Sequence, residues 1–156
     1  MPTPPFLYRL MSHTNLSRTF KLGEEDRTAY GFANTLRAAT LAGSLKAVWT
    51  HPANELGGMT TKRKTPEGFR ATVPPIVALA KALGLITGAS DYLFLWKGGC
   101  CAIEFKSATG RLSSAQRDFR DWCAMHDVPF HLVRSEEEAL EVLRGYGILI
   151  DQKAAA

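Results

Sequence analysis

The chain has 156 residues, enough for one domain with a core of its own, and its 46% apolar and 22% charged residues exclude a disordered or fibrous protein. A net charge of +4 suits a polyanionic partner without requiring one. No run of about 18 apolar residues is present, so no membrane span is expected, and Met1–Pro5 lacks the charged and apolar regions of a secretory leader.

Residues 1–22 mix Pro, Ser and Thr with scattered apolar residues and read as an irregular arm, docked through Phe6, Leu7, Tyr8 and Leu10. Residues 23–150 read as a single domain and 151–156 as a tail. A helix is expected from Glu24 to about Ala42, with Ala29, Phe32, Ala33, Leu36 and Thr40 on one stripe. Glu25 extends that stripe toward the N-terminus, so it points to the sheet while Glu24 points to water. The alternative is that both glutamates merely complement the helix dipole. Gly43-Ser44 stops the helix, and Leu45 to His51 alternates as a strand. His51-Pro52-Ala53-Asn54-Glu55 and Gly57-Gly58 then have turn chemistry.

Met59 to Pro74 reads as a long loop carrying Lys62, Arg63, Lys64 and Arg70 against one acid, Glu67. Loops of such length are functional or disordered. As a polycation this one would be mobile alone and contact phosphates when DNA binds; the competing reading is a solvated charge run. Pro75 suits the first turn of a short helix with Ile76, Leu79, Ala80 and Leu83 inward and Gly84 as its stop.

Ser90 to Lys106 reads as a β-hairpin turning at Gly98-Gly99. In that register Lys97 pairs with Cys100, Leu93 with Glu104 and Asp91 with Lys106. Tyr92, Phe94, Trp96, Cys101, Ile103 and Phe105 fill one face. Asp91, Leu93, Leu95, Cys100, Ala102, Glu104 and Lys106 fall on the other. A three-residue turn would move Asp91 across unless a bulge restored it. Both faces are apolar apart from Asp91, Glu104 and Lys106, which implies helices on both sides.

Ser113 and Gln116 form a capping box before a helix with Ala115, Phe119, Trp122, Cys123 and His126 on one stripe. Gln116 has two readings: a cap that satisfies a backbone N–H, or a first-turn side chain near the strand ends that touches a metal-bound water or a phosphate. Phe130 to Val133 is a strand, and Ser135 with Glu138 caps a last helix carrying Ala139, Leu140 and Leu143 inward. Gly145 and Gly147 close that helix, and Ile148-Leu149-Ile150 adds an edge strand. The order suits a central mixed sheet flanked by helices on both faces, an α/β/α sandwich. The three cysteines, an odd count, suit free thiols in a reducing, cytoplasmic setting. A zinc site from Cys100 or Cys101 with Cys123 and His126 lacks any CxxC pair, and packing already accounts for those positions.

Two carboxylates and a lysine on rigid strands can bind a hard divalent cation and activate water beside it. Against this stands an ordinary ion pair of Asp91 with Lys106. The segment Gly84 to Leu93 ending in Ser90-Asp91, then Ile103-Glu104-Phe105-Lys106-Ser107, then Gly110-Arg111-Leu112-Ser113 and Gln116, resembles the VRR-NUC (virus-type replication and repair nuclease) domains of the PD-(D/E)XK superfamily. The resemblance runs from about Glu25 to Leu143. It departs at Ser90, where the superfamily leads one to expect Pro, and at Ala29, where many relatives carry a polar residue.

The resemblance implies a restriction-endonuclease-like fold and a Mg²⁺- or Mn²⁺-dependent nuclease acting on DNA in replication, recombination or repair. Its metal ligands would be Asp91, Glu104, the Phe105 carbonyl and, as a further candidate, Glu25; Lys106 and Gln116 would assist. It also implies 5′-phosphate and 3′-hydroxyl products. His51-Pro52-Ala53-Asn54-Glu55 looks like the family's segment after its first strand. Arg111 and Asn54 join the basic loop as candidate DNA contacts. A symmetric junction as substrate would call for two sites, hence a homodimer. The alternative is a nucleic-acid-binding module that keeps the fold and does not cut.

Overall fold

The structure, a computed structural model, describes residues 5–12, 21–53 and 60–150. Its elements are α1 (Pro5–Met11), α2 (Glu24–Leu41), β1 (Val48–Thr50), β2 (Thr61–Thr65), β3 (Gly68–Thr72), α3 (Pro75–Ala82), β4 (Tyr92–Trp96), β5 (Gly99–Phe105), α4 (Ser114–Met125), β6 (Phe130–Val133) and α5 (Glu136–Gly145). The fold is mixed α/β. Four strands form one sheet in the order β1-β4-β5-β6, antiparallel except for the parallel pair β5–β6, and β2–β3 form a separate two-stranded sheet. Among the described residues no helix is long and apolar enough to cross a membrane.

The odd-numbered positions of β5 and the even-numbered positions of β4 make the main core. Phe32 of α2 lies among Tyr92, Phe94 and Phe105, with ring centroids 5.1, 6.2 and 5.3 Å away. Leu36, Ile103, Ala139 and Leu143 complete this layer, so α2 and α5 share one face of the sheet. Tyr92 also ties its strand to α2, donating its hydroxyl to the Ala29 carbonyl at 2.9 Å.

The hairpin between β4 and β5 differs in register from the sequence reading. Trp96 pairs with Gly99 and Leu93 with Ala102, so the turn is Lys97-Gly98, one residue earlier than Gly98-Gly99. Gly98 alone of the two glycines has positive φ, +98°. Gly99 serves another purpose: a Cβ there would stand 2.7 Å from the Trp96 ring, so the indole lies across a bare backbone. The pairing moves by two residues, and a shift of two preserves the faces.

In five other places the structure corrects or narrows the sequence reading. The N-terminal arm contains a helical turn pair, α1, whose Leu10 carbonyl accepts from Arg37 Nε at 3.2 Å; Phe6 and Tyr8 remain exposed. The long loop of residues 59–74 is in its described part a β-hairpin, β2–β3. Its strands carry Thr and Phe, which favour extended backbone, but few apolar residues to mark a face. In α3 the buried residue is Val77, while Ile76, Leu79 and Leu83 are exposed, because the helix turns a different face inward. On the second face of the large sheet Leu93 lines an open apolar groove together with Phe119 and Cys123 of α4, while Leu95 and its partner Val48 are exposed. The last strand reduces to one bridge, Leu149 with Leu45.

Phe32 meets three aromatic rings and is fully buried. Phe32→Ala should cost about 3–5 kcal/mol in urea unfolding, from lost burial plus the cavity left behind. A loss under about 1 kcal/mol would show that α2 is not anchored through this ring.

Candidate active site

Where β5 ends, carboxylates from two different elements, Glu104 of β5 and Glu25 of α2, meet one lysine, Lys106. Glu104 is 0% exposed. Its Oε1 accepts from Lys106 Nζ at 2.8 Å and from Gln116 Nε2 in a short hydrogen bond. Its Oε2 is buried and makes no hydrogen bond among the described residues. Lys106 Nζ also lies 3.5 Å from Glu25 Oε2. Asp91, just before β4, accepts the Phe105 main-chain N–H on Oδ2 at 2.7 Å, which bridges the two strand ends. In the observed register Asp91 falls across from Glu104, not Lys106, and stays on the carboxylate face.

Each group is placed by local sequence. Helical phase turns Glu25 inward, where Oε1 accepts from the Ser107 N–H at 2.8 Å, and leaves Glu24 exposed. Gly110 makes room for this contact, since a Cβ there would approach Glu25 Oε1 to 2.9 Å. Gln116 fills its reading as a cap, and its amide also reaches the strand end. Its Oε1 accepts from Ser113 N at 2.9 Å while Ser113 Oγ accepts from Gln116 N at 3.2 Å, closing the capping box. Its Nε2 is then aimed at Glu104. Gly88, with φ +88°, permits the approach of α4, because a Cβ there would stand 2.4 Å from the Ala115 carbonyl carbon.

Burial and then the Asp91 charge push the Glu104 carboxyl from its ordinary value near 4.5 up to about 7, against the opposing pull of Lys106 and the Asp91 N–H. Burial would lower Lys106, but the hydrogen bond and charge of Glu104, with Glu25 and Asp91, hold it above its ordinary value. Burial would raise Glu25; the Ser107 N–H and Lys106 overcome it and hold it below the usual carboxylate range. The lysine is thus a fixed cation, and Glu104 is a carboxyl whose charge depends on what stands near it.

Two positioning contacts have partners that local spacing does not announce. Arg134 Nη1 donates to the Ser107 carbonyl in a short bond and to the Gly110 carbonyl at 3.2 Å, pinning the segment that presents Ser107 to Glu25. His51 Nδ1 donates to the Asp91 carbonyl at 2.5 Å, and its ring lies 5.3 Å from Tyr92. Arg111 is exposed beside α4, and Lys62, Arg63, Lys64 and Arg70 are exposed on β2–β3. Asn54 and Glu55 lie outside the described residues. Cys101 belongs to the main core, where burial and then Cys100 push its thiol to about 12, and all three cysteines are free.

Among the described residues no group of three His, Cys, Asp or Glu side chains is arranged to hold a metal. The donor set is smaller: two carboxylates and the main chain between Glu104 and Lys106. The unpaired, buried Glu104 Oε2 is what fits a cation, since a buried anionic oxygen without a partner is costly. Comparison with known protein families, with curated proteins and with solved structures finds no match to this chain.

The native state keeps the Glu104 proton up to about pH 7, whereas the unfolded chain releases it near 4.5. Between those values the native state binds more protons, so this group makes stability fall as pH rises, by up to about 1.4 kcal/mol per pH unit. Glu104→Gln keeps the acceptor and removes the titration. Its urea midpoint should therefore gain on the wild type from pH 4.5 to 7. Parallel midpoints across that range would show that Glu104 is not held protonated by its surroundings.

Proposed function

We propose that the chain is a divalent-metal-dependent nuclease that hydrolyses DNA phosphodiester bonds. The observation that carries this reading is the buried Glu104, with one oxygen engaged by Lys106 and Gln116 and the other unpartnered, across from Asp91. The motif resemblance to VRR-NUC domains supports it, as does the mixed sheet with α2 and α5 on one face and α4 reaching the other. On this reading the arrangement is a restriction-endonuclease-like α/β/α sandwich.

Asp91, Glu104 and the Phe105 carbonyl would hold Mg²⁺, with Mn²⁺ as substitute; Glu25 already bonds Ser107 and pairs with Lys106, which makes it a support for the lysine first. When bound, the ion would lower the pKa of a coordinated water and offset phosphate charge. The protein's own groups do the rest. Lys106 is held cationic by three carboxylates, so its role is to orient water or to offset charge growing on the phosphate, not to accept a proton. Gln116 holds Glu104 Oε1, which leaves the buried Oε2 without a hydrogen-bond partner among the described residues and makes it the oxygen that would meet a cation. Arg111 and the basic hairpin would meet the DNA backbone.

Labelled linear, flap and four-way DNAs incubated with Mg²⁺, Mn²⁺ or EDTA test the reading. Cleavage should need the metal, and Asp91→Ala, Glu104→Ala and Lys106→Ala should each reduce it by at least about 100-fold while circular dichroism stays unchanged. Metal-independent cutting, or full activity in any two variants, would sink the assignment. DNA binding without cleavage would return the chain to a binding module.

Metal affinity gives a second check. A cation must displace the Glu104 proton, so affinity for Mn²⁺ should rise with pH up to about 7 and level off above it. Asp91→Asn removes the neighbouring charge and should move that rise to lower pH. An affinity independent of pH from 5 to 8 would separate Glu104 from the ion.

A further inference from the structure

The hairpin β2–β3 stands apart from the body. Neither strand packs substantially on another element among the described residues, and most of its residues are exposed on both sides. A two-stranded hairpin with no covered face is marginal in water. Its register makes it two-sided. Lys62 pairs with Ala71 and Lys64 with Phe69 on one face; Arg63 pairs with Arg70 on the other, between the Thr61–Thr72 and Thr65–Gly68 pairs.

Directly opposed like charges destabilise a strand pair, and neither arginine has an ion-pair partner among the described residues. A bridging phosphate would convert that repulsion into two charge-assisted hydrogen bonds. On the opposite face Phe69 is 73% exposed and lies beside Lys64. An aromatic ring that open, on the same face as Lys62 and Lys64, is a platform for a nucleobase whose phosphates the lysines hold.

We propose that β2–β3 is a strand-gripping arm: Arg63 and Arg70 take a backbone phosphate on one face, and Phe69 stacks on an unpaired base on the other. The choice of DNA as ligand rests on the nuclease reading above. The arm would give preference for DNA with unpaired nucleotides over uninterrupted duplex, whose bases are already stacked on each other.

Fluorescence polarisation of the full chain in EDTA tests this without cleavage. Three probes are used: an oligothymidylate, an abasic tetrahydrofuran strand of equal length and charge, and a blunt duplex. The wild type should bind the base-bearing strand about 5- to 150-fold more tightly than the abasic one, the range for one stacked base. Phe69→Ala should erase that ratio and leave the abasic and duplex affinities unchanged, while Phe69→Trp should keep it. Arg63→Gln with Arg70→Gln should weaken both single strands alike and flatten their salt dependence by about 0.7 per lost contact.

A base preference that survives Phe69→Ala, or an equal loss on all three probes, overturns the proposal. So does failure to bind any of them, which would leave the hairpin to an acidic protein surface. The outcome is separable from catalysis. Phe69-dependent base preference in a protein that never cuts upholds the arm and removes the nuclease. Metal-dependent cutting with no such preference does the reverse.

Discussion

A carboxyl group with no access to water must either keep its proton or find cations and donors to replace the solvent. Glu104 is in that position, and much of the surrounding geometry answers to it. Lys106 reaches it from two residues along the chain and is itself steadied by Glu25. Gln116 reaches it from the start of α4, and α4 comes that near only because Gly88 carries no side chain. Glu25 needs the Ser107 N–H, which Arg134 holds in place and Gly110 leaves uncovered. Elements distant in the chain are thus oriented around one buried oxygen pair. Gln116 and Lys106 both choose Oε1, so the satisfied and unsatisfied halves of the carboxylate are separated in space.

Much of this arrangement was legible in the chain. Helical phase distinguished Glu25 from Glu24, because one residue of rotation separates a stripe from its flank. Strand alternation put Asp91, Glu104 and Lys106 on one face, and the faces survived a turn misplaced by one residue because the pairing then moved by two. The correct turn depended on a contact that pattern does not encode, the Trp96 ring on Gly99. The Ser113–Gln116 box was visible, but its second use was not decided by spacing alone.

The misses share a physical cause. β2–β3 hides from pattern reading because a hairpin with no buried face shows no apolar alternation; its strand residues are mostly charged or Thr. The inward face of α3 was misjudged because several apolar residues competed and burial selected Val77. His51 and Arg134 act through main-chain carbonyls brought near by the fold, and nothing in local spacing announces such a partner.

Gln116 closes the first turn of α4 with one end of its amide and holds Glu104 with the other. Nucleation of a helix and completion of a polar site are ordinarily separate events, each open to its own substitutions. Here they draw on a single side chain, and its length is the constraint. Asparagine, one methylene shorter, would serve the turn or the carboxyl but not both. A glutamate would keep the cap acceptor and set another acid against Glu104 where an amide donor now stands. Variation at this position is therefore confined by two unrelated demands, and the carboxyl of one strand registers whether the neighbouring helix has begun.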